Sequence, residues 1–185
     1  MPRRKNLSEA PWETLSSRPI YSNPWLSLRE DRVALPNGTT SIYGVVTCGD
    51  CVGVLPFIEP KTILLIKQYR YVSKRVTWEM PTGGVHPGEK IEEAAQRELA
   101  EEIGYRAGRL QWVSSYHTSK SVMDETAHLY IGEDLSELKL QSDETEFIDT
   151  QRFAFEKVVQ MVLAGEILDS MTVIAVLHAA RMKGI

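Results

Sequence analysis

The sequence predicts an α+β fold, or the closely related α/β sandwich, from three observations. Short apolar runs of β type recur along most of the chain, one acidic amphipathic helix interrupts them early, and two helix-like segments close it. The 185 residues suit one domain, or one domain with a small appendage. A hydrophobic share of 43% and a charged share of 25% are those of an ordinary globular chain. A net charge of −4 gives no electrostatic footprint for nucleic acid. No apolar run approaches the roughly 20 residues that span a bilayer, so no membrane partner is expected. The start, Met1 to Ala10, is too polar for a signal peptide, and the cytoplasm is the expected compartment.

Taken in order, residues 1–10 read as a flexible N-terminus whose Arg3-Arg4-Lys5 is a frayed end. Residues 11–47 read as a β meander. Within it Trp25 to Leu35 and Thr39 to Val46 flank Pro36-Asn37-Gly38, a strong hairpin turn. Residues 48–185 form the main domain. Strand-like runs follow at Val52–Ile58, Thr62–Ile66, Leu110–Tyr116, Ala127–Ile131 and Phe147–Phe153. The closing helices are expected at Phe155–Leu163 and Ser170–Met182, the last capped by Asp169 or Ser170. Cys48 and Cys51 form a C-x2-C pair, but no second ligand pair exists for zinc. His86, His117, His128 and His178 have no metal-ligand spacing, so the cysteines read as incidental thiols in a reducing compartment.

The chemistry is concentrated in Gly83 to Tyr105, GGVHPGEKIEEAAQRELAEEIGY. A glycine-rich turn runs into a helix that ends at Gly104, a C-cap glycine. Ile91, Ala95 and Leu99 form its core-facing stripe. At about 100° per residue, Glu98, Glu101 and Glu102 share one narrow arc, and Glu98 and Glu102 fall within or beside that stripe. Carboxylates there are costly unless paired, and clustered oxygen donors suit Mg²⁺, with Mn²⁺ as substitute. Glu93 and Arg97, at i, i+4 on the far side, read as a surface ion pair.

The spacing Gly83, Glu89, then Arg97-Glu98-Leu99-Ala100-Glu101-Glu102-Ile103-Gly104-Tyr105 resembles the Nudix signature G-x5-E-x7-R-E-U-x-E-E-x-G-U at every specified position, with U an apolar residue. Gln68-Tyr69-Arg70, Trp78 to Gly83, Asp124-Glu125 and Asp143 to Ile148 resemble the ADP-ribose pyrophosphatase and nucleotide-sugar hydrolase branch. The resemblance implies a mixed sheet between helices, an α/β/α sandwich. It also implies that the N-terminal meander helps the chain form a homodimer. The loop Tyr116 to Glu125 departs from members that hydrolyse ADP-ribose, which commonly carry a proline there. The substrate therefore stays open between ADP-ribose and another nucleotide sugar.

The activity implied is Mg²⁺-dependent hydrolysis of a nucleoside diphosphate linked to another moiety, giving a nucleoside monophosphate and a phosphorylated product. Glu98, Glu101 and Glu102 are the expected metal ligands, with Glu98 and Glu102 central to catalysis. The resemblance adds the Thr82 carbonyl and Glu146 as ligands and Glu144 as general base. Glu89 and Arg97 would hold the loop and orient the ligands, and Gly83 and Gly84 would bring the backbone close. Arg70, Glu125, Ser119 and Lys120 are candidate substrate contacts. Trp25, Tyr21 and Phe57 are candidates for stacking on a base or for the core. Two other readings are a hydrolase of oxidised nucleotides or RNA 5′ ends, and a non-catalytic nucleotide sensor.

Overall fold

The computed structural model describes residues 12–138 and 148–185. Its first strands are β1 (Glu13–Ser22), β2 (Ser27–Ala34) and β3 (Thr40–Thr47). Then come β4 (Cys51–Glu59), β5 (Thr62–Arg70), β6 (Arg75–Glu79), β7 (Thr82–Gly84) and the helix α1 (Ile91–Ile103). Strands β8 (Tyr105–His117), β9 (Met123–Asp124), β10 (Thr126–Glu137) and β11 (Asp149–Ala154) precede helices α2 (Phe155–Leu163) and α3 (Ser170–Lys183). Among the described residues, no helix is long and apolar enough to cross a membrane.

The chain divides into two compact units. The smaller comprises residues 12–49 and 117–125, a four-stranded sheet in the order β1-β2-β3-β9. Neighbours β1, β2 and β3 run antiparallel, and β9 adds in parallel with Val46 opposite Met123. That pairing draws His117–Glu125 into the smaller unit, whereas the sequence reading kept it in the main domain. The expected hairpin turn joins β2 to β3, with Leu35 N–H on the Thr39 carbonyl at 2.8 Å. Strand β1 escaped the sequence reading because it is exposed along its length, contains Pro19 and lacks clean alternation.

The larger unit holds a seven-stranded sheet, β11-β5-β4-β10-β8, with β6 on β5 and β7 on β4. Strands β4 and β10 are parallel, while β5 pairs antiparallel with β4, β6 and β11. The sheet is therefore mixed. Its central strand β4 sorts side chains by alternation. Val52 and Val54 pack with Ala94, Ala95 and Leu99 of α1. Leu55 and Phe57 join Phe155 and Val158 of α2 and Val176 and Ala179 of α3. One helix thus covers one face and two cover the other, the sandwich that the sequence predicts. Truncating the fully buried Leu99 to alanine would cost about 2–5 kcal/mol.

Several boundaries differ from the sequence reading. Strand β8 begins at Tyr105 rather than Leu110, directly after the helix cap. Strands β6 and β7 were not expected. One alternates polar and apolar residues over only five positions, and the other has three residues, two of them glycine, so neither run is long enough to stand out. Helix α2 has the expected bounds, and α3 extends to Lys183. Asp169 caps α3, accepting the Thr172 N–H at 2.7 Å.

Candidate active site

Strand β4 brings the acidic helix and the glycine turn together. It pairs with β7 so that Gly53, Val52 and Cys51 oppose Thr82, Gly83 and Gly84. A side chain on Gly83 would displace the Glu98 carboxylate, so glycine here leaves that carboxylate where Arg97 holds it. The loop to α1 is tied by Val85 N–H to the Asp50 carbonyl at 2.9 Å and by His86 N–H to Glu89 Oε2 at 2.9 Å. Glu92 and Glu93 in the first turn of α1 complement the helix dipole. Gly104 ends the helix in the left-handed region, φ 71°, its N–H on the Ala100 carbonyl at 3.1 Å.

On this helix Ala95 and Leu99 are fully buried, and Glu98 and Glu102 have only 7% and 8% of their surface exposed. Arg97 lies folded among the carboxylates. Its Nε donates to Glu89 Oε1 at 2.9 Å, and its Nη1 donates to Glu98 at 2.6 Å and Glu101 at 3.0 Å. Its Nη2 reaches the Gly84 carbonyl at 2.8 Å and Glu89 Oε2 at 3.0 Å. All five guanidinium N–H donors are used. The Arg97 bond holds the Glu89 carboxyl down at about 2, against a usual 4.5, with the His86 N–H assisting and burial opposing. Arg97 is correspondingly held above the usual arginine range, by Glu89 first, with burial opposing and Glu98 and Glu101 assisting.

The expected Glu93–Arg97 ion pair does not form. Glu93 instead meets Lys90 Nζ at 3.1 Å. Arg97 leans back toward the helix N-terminus, as helical side chains do, where Glu89 and the Gly84 carbonyl offer better acceptors.

A second charged pair stands beside the first. Arg70 forks onto the buried Glu79 with Nε–Oε2 2.9 Å and Nη2–Oε2 2.5 Å, and Thr77 also donates to Glu79. Arg70 Nη2 lies 3.5 Å from Thr82 Oγ1, and the Thr82 N–H donates to Glu102 Oε2 at 2.8 Å. Burial opposes the charge on Arg70, and Glu79, then Glu102 and Asp169, more than offset it, so its pKa is raised.

Comparison with known proteins bears on this arrangement. The model of the NUDIX domain matches residues 49–171. The chain belongs to the Nudix family. The model of the nucleoside diphosphate sugar hydrolase N-terminal domain matches residues 12–46. The chain is 33% identical over 174 residues to the ADP-ribose pyrophosphatase of Bacillus subtilis (strain 168), covering 93% of this chain and 92% of the relative. It is 34% identical to the methanol dehydrogenase activator of Bacillus methanolicus, over 89% and 90% of the two chains. A crystal structure of an ADP compounds hydrolase superposes with a TM-score of 0.84 at 21% identity, over 94% and 95% of the two chains, a likeness of fold.

In this Nudix hydrolase the larger unit gathers Arg70, Thr82, Gly83, Gly84, Glu89, Arg97, Glu98, Glu101 and Glu102. Ser119, Lys120 and Glu125 belong to the smaller unit. There Glu125 accepts from Thr118 Oγ1 at 2.5 Å and lies 3.6 Å from Cys48 Sγ. Cys51 lies in the larger unit, 3.9 Å from Met171 Sδ. Glu144 and Glu146 lie outside the described residues. Phe57 is a core residue packed against Phe155 with ring centroids 5.0 Å apart, while Tyr21 and Trp25 are exposed in the smaller unit. Sequence reasoning gave no role to Glu79 or Thr172. Their signals, a glutamate closing the alternating run Val76-Thr77-Trp78 and a threonine three residues after an N-cap aspartate, are visible only once β6 and α3 are placed.

The residues suit a hard divalent cation by chemistry, since the donor set is oxygen alone and partly buried. Among the described residues, no three Asp, Glu, His or Cys side chains are arranged to hold a metal ion as placed. Arg97 draws Glu98 and Glu101 toward itself, and the Thr82 N–H holds Glu102. A carboxylate accepts at both oxygens, so these bonds leave its capacity for a cation unexhausted.

The low pKa of Glu89 has a stability consequence. Its contribution is complete above the usual value of 4.5 and is lost as pH falls through about 2. In thermal unfolding across pH, Glu89→Gln should melt below the wild type at pH 7, by about 2–4 °C for each kcal/mol lost. That gap should narrow as pH falls from 4.5 toward 2. A gap independent of pH would exclude the Glu89–Arg97 ion pair as its source.

Proposed function

We propose that this Nudix hydrolase is a Mg²⁺-dependent pyrophosphohydrolase of a nucleoside diphosphate linked to another moiety, ADP-ribose or another nucleotide sugar. The products are a nucleoside monophosphate and a phosphorylated partner. The observation that carries the reading is the pair of buried carboxylates beside the glycine turn, Glu98 against Gly83 and bound by Arg97, and Glu102 bound by the Thr82 N–H. The relative named ADP-ribose pyrophosphatase and the matched N-terminal domain support the substrate class.

Glu98, Glu101 and Glu102, with the Thr82 carbonyl and Glu146, hold the metal in this proposal. Bound there, Mg²⁺ would neutralise phosphate oxygens and make water more acidic. Arg97 fixes the orientation of Glu98 and Glu101, and Glu89 fixes Arg97. Glu144 takes the proton from the attacking water. Arg70, restrained by Glu79, presents its outer edge to a phosphate. Ser119, Lys120 and Glu125 are substrate contacts in this proposal on the resemblance alone.

The relative named for activation of methanol dehydrogenase favours a second reading, in which the chain acts on a partner enzyme. Turnover by the isolated protein separates the two. The proposed homodimer is supported by exposed apolar residues on the smaller unit, Trp12, Ile20, Tyr21, Trp25 and Ile42.

Purified protein with Mg²⁺ should release a nucleoside monophosphate from at least one of ADP-ribose, GDP-mannose and UDP-glucose. Glu102→Gln and Glu144→Gln should each lower kcat about a hundredfold or more while remaining folded. Release of no monophosphate from the panel would refute the proposed reaction, and full activity in Glu102→Gln would refute the metal assignment. Sedimentation should give a mass of about 42 kDa, twice the 20.9 kDa of the chain, and a mass near 20.9 kDa would exclude the dimer.

A further inference from the structure

We infer that Asp169 and Thr172, at the start of α3, are positioning residues for the backbone of Met80-Pro81-Thr82, and through it for Glu102. The inference rests on the metal-dependent reading above and adds to it two residues that never touch the substrate.

Three consecutive residues of this segment are each held by a hydrogen bond from a different element. Met80 N–H donates to Thr172 Oγ1 at 3.0 Å. The Pro81 carbonyl accepts from Val54 N–H in β4 at 3.0 Å. Thr82 N–H donates to Glu102 Oε2 in α1 at 2.8 Å. Helices α1 and α3 pack on opposite faces of the sheet, so the segment is tied to both layers and to the strand between them.

The direction of the α3 bond is fixed by chemistry. Thr172 has one hydroxyl proton, and Asp169 Oδ2 takes it at 2.6 Å while also accepting the Thr172 N–H at 2.7 Å. The hydroxyl oxygen is then left to accept from Met80. Both Thr172 and Met80 are fully buried, so water cannot replace the bond. Valine has the shape of threonine but offers no acceptor, which would strand the Met80 N–H. Serine keeps the acceptor. Loss of the anchor frees the segment at the residue two before the amide that holds Glu102.

The test compares Thr172→Val, Thr172→Ser and Val158→Ala, the last a core truncation in α2 that serves as a stability control. Melting temperature, amide exchange at Thr82, Mn²⁺ affinity by paramagnetic resonance titration, and kcat and KM are measured. Thr172→Val should raise exchange at Thr82 about tenfold and weaken Mn²⁺ binding about fivefold, the scale of one lost buried hydrogen bond. It should lower kcat about tenfold with KM within about threefold, since ligand geometry rather than substrate contact is disturbed. Thr172→Ser should stay within about threefold of wild type in every measurement. Val158→Ala should lower the melting temperature without moving Thr82 exchange or Mn²⁺ affinity.

Wild-type exchange and Mn²⁺ affinity in Thr172→Val would overturn the inference, as would equal losses in Val158→Ala. Should Thr172→Val not fold, Asp169→Asn is read in its place, with smaller shifts in the same direction expected and wild-type values overturning. A wild type that binds no Mn²⁺ and turns over nothing contradicts the proposed function, whereas Thr82 exchange still decides the positioning.

Discussion

Arg97 lies with all five N–H donors directed at Glu89, Glu98, Glu101 and the Gly84 carbonyl, and the arrangement of the site depends on that placement. Helix α1 must bury Ala95 and Leu99 against β4, and the same turn of the helix carries Glu98 and Glu102 inward with them. A carboxylate so placed is costly unless charge or hydrogen bonds compensate it. Arg97 supplies part of the compensation and the Thr82 N–H another part. Glycine at position 83 gives the Glu98 carboxylate room. Helix, loop and turn are therefore mutually required, because moving any one leaves a buried charge without its partner.

The formal charges of these side chains do not cancel. Glu89, Glu98, Glu101 and Glu102 against the single Arg97 leave a formal charge of −3 in the cluster. Arg70 is bound foremost by Glu79, with a further attraction to Glu102. A residual negative field in a partly buried site raises affinity for cations and repels a free pyrophosphate. In the proposed reaction a divalent ion held by Glu98, Glu101 and Glu102 would answer both problems. The role of Arg97 is then geometric. It holds the carboxylates in place without matching their total charge.

Much of this was legible in the sequence, and the limits have physical causes. The acidic arc of α1, its apolar stripe and the Gly104 cap follow from a period of 3.6, which side-chain identity alone reveals. Helices α2 and α3 were found for the same reason, with Asp169 as a cap. The pairing of Arg97 with Glu93 was misread because spacing on one helix offers Glu93 and Glu101 alike, and Glu89 and the Gly84 carbonyl in the preceding loop turn Arg97 toward Glu98 and Glu101. Glu79 and Thr172 were missed because their roles depend on the pairing of β5 with β6 and on α3 crossing above Met80. Such contacts are long-range, and no local pattern encodes them. Strand β1 was hidden by its exposure, since a strand with no buried face has no alternation to read.

The central claim is that the buried carboxylates of α1 form a divalent metal site beside the glycine turn. A crystal structure grown with Mn²⁺, using anomalous differences to locate the ion, tests it most directly. The account predicts an anomalous peak about 2.0–2.4 Å from carboxylate oxygens of Glu98 and Glu102. Arg97 should still be bound to Glu89 in that structure. Full Mn²⁺ occupancy elsewhere, with Glu98 and Glu102 keeping only their protein hydrogen bonds, would contradict it.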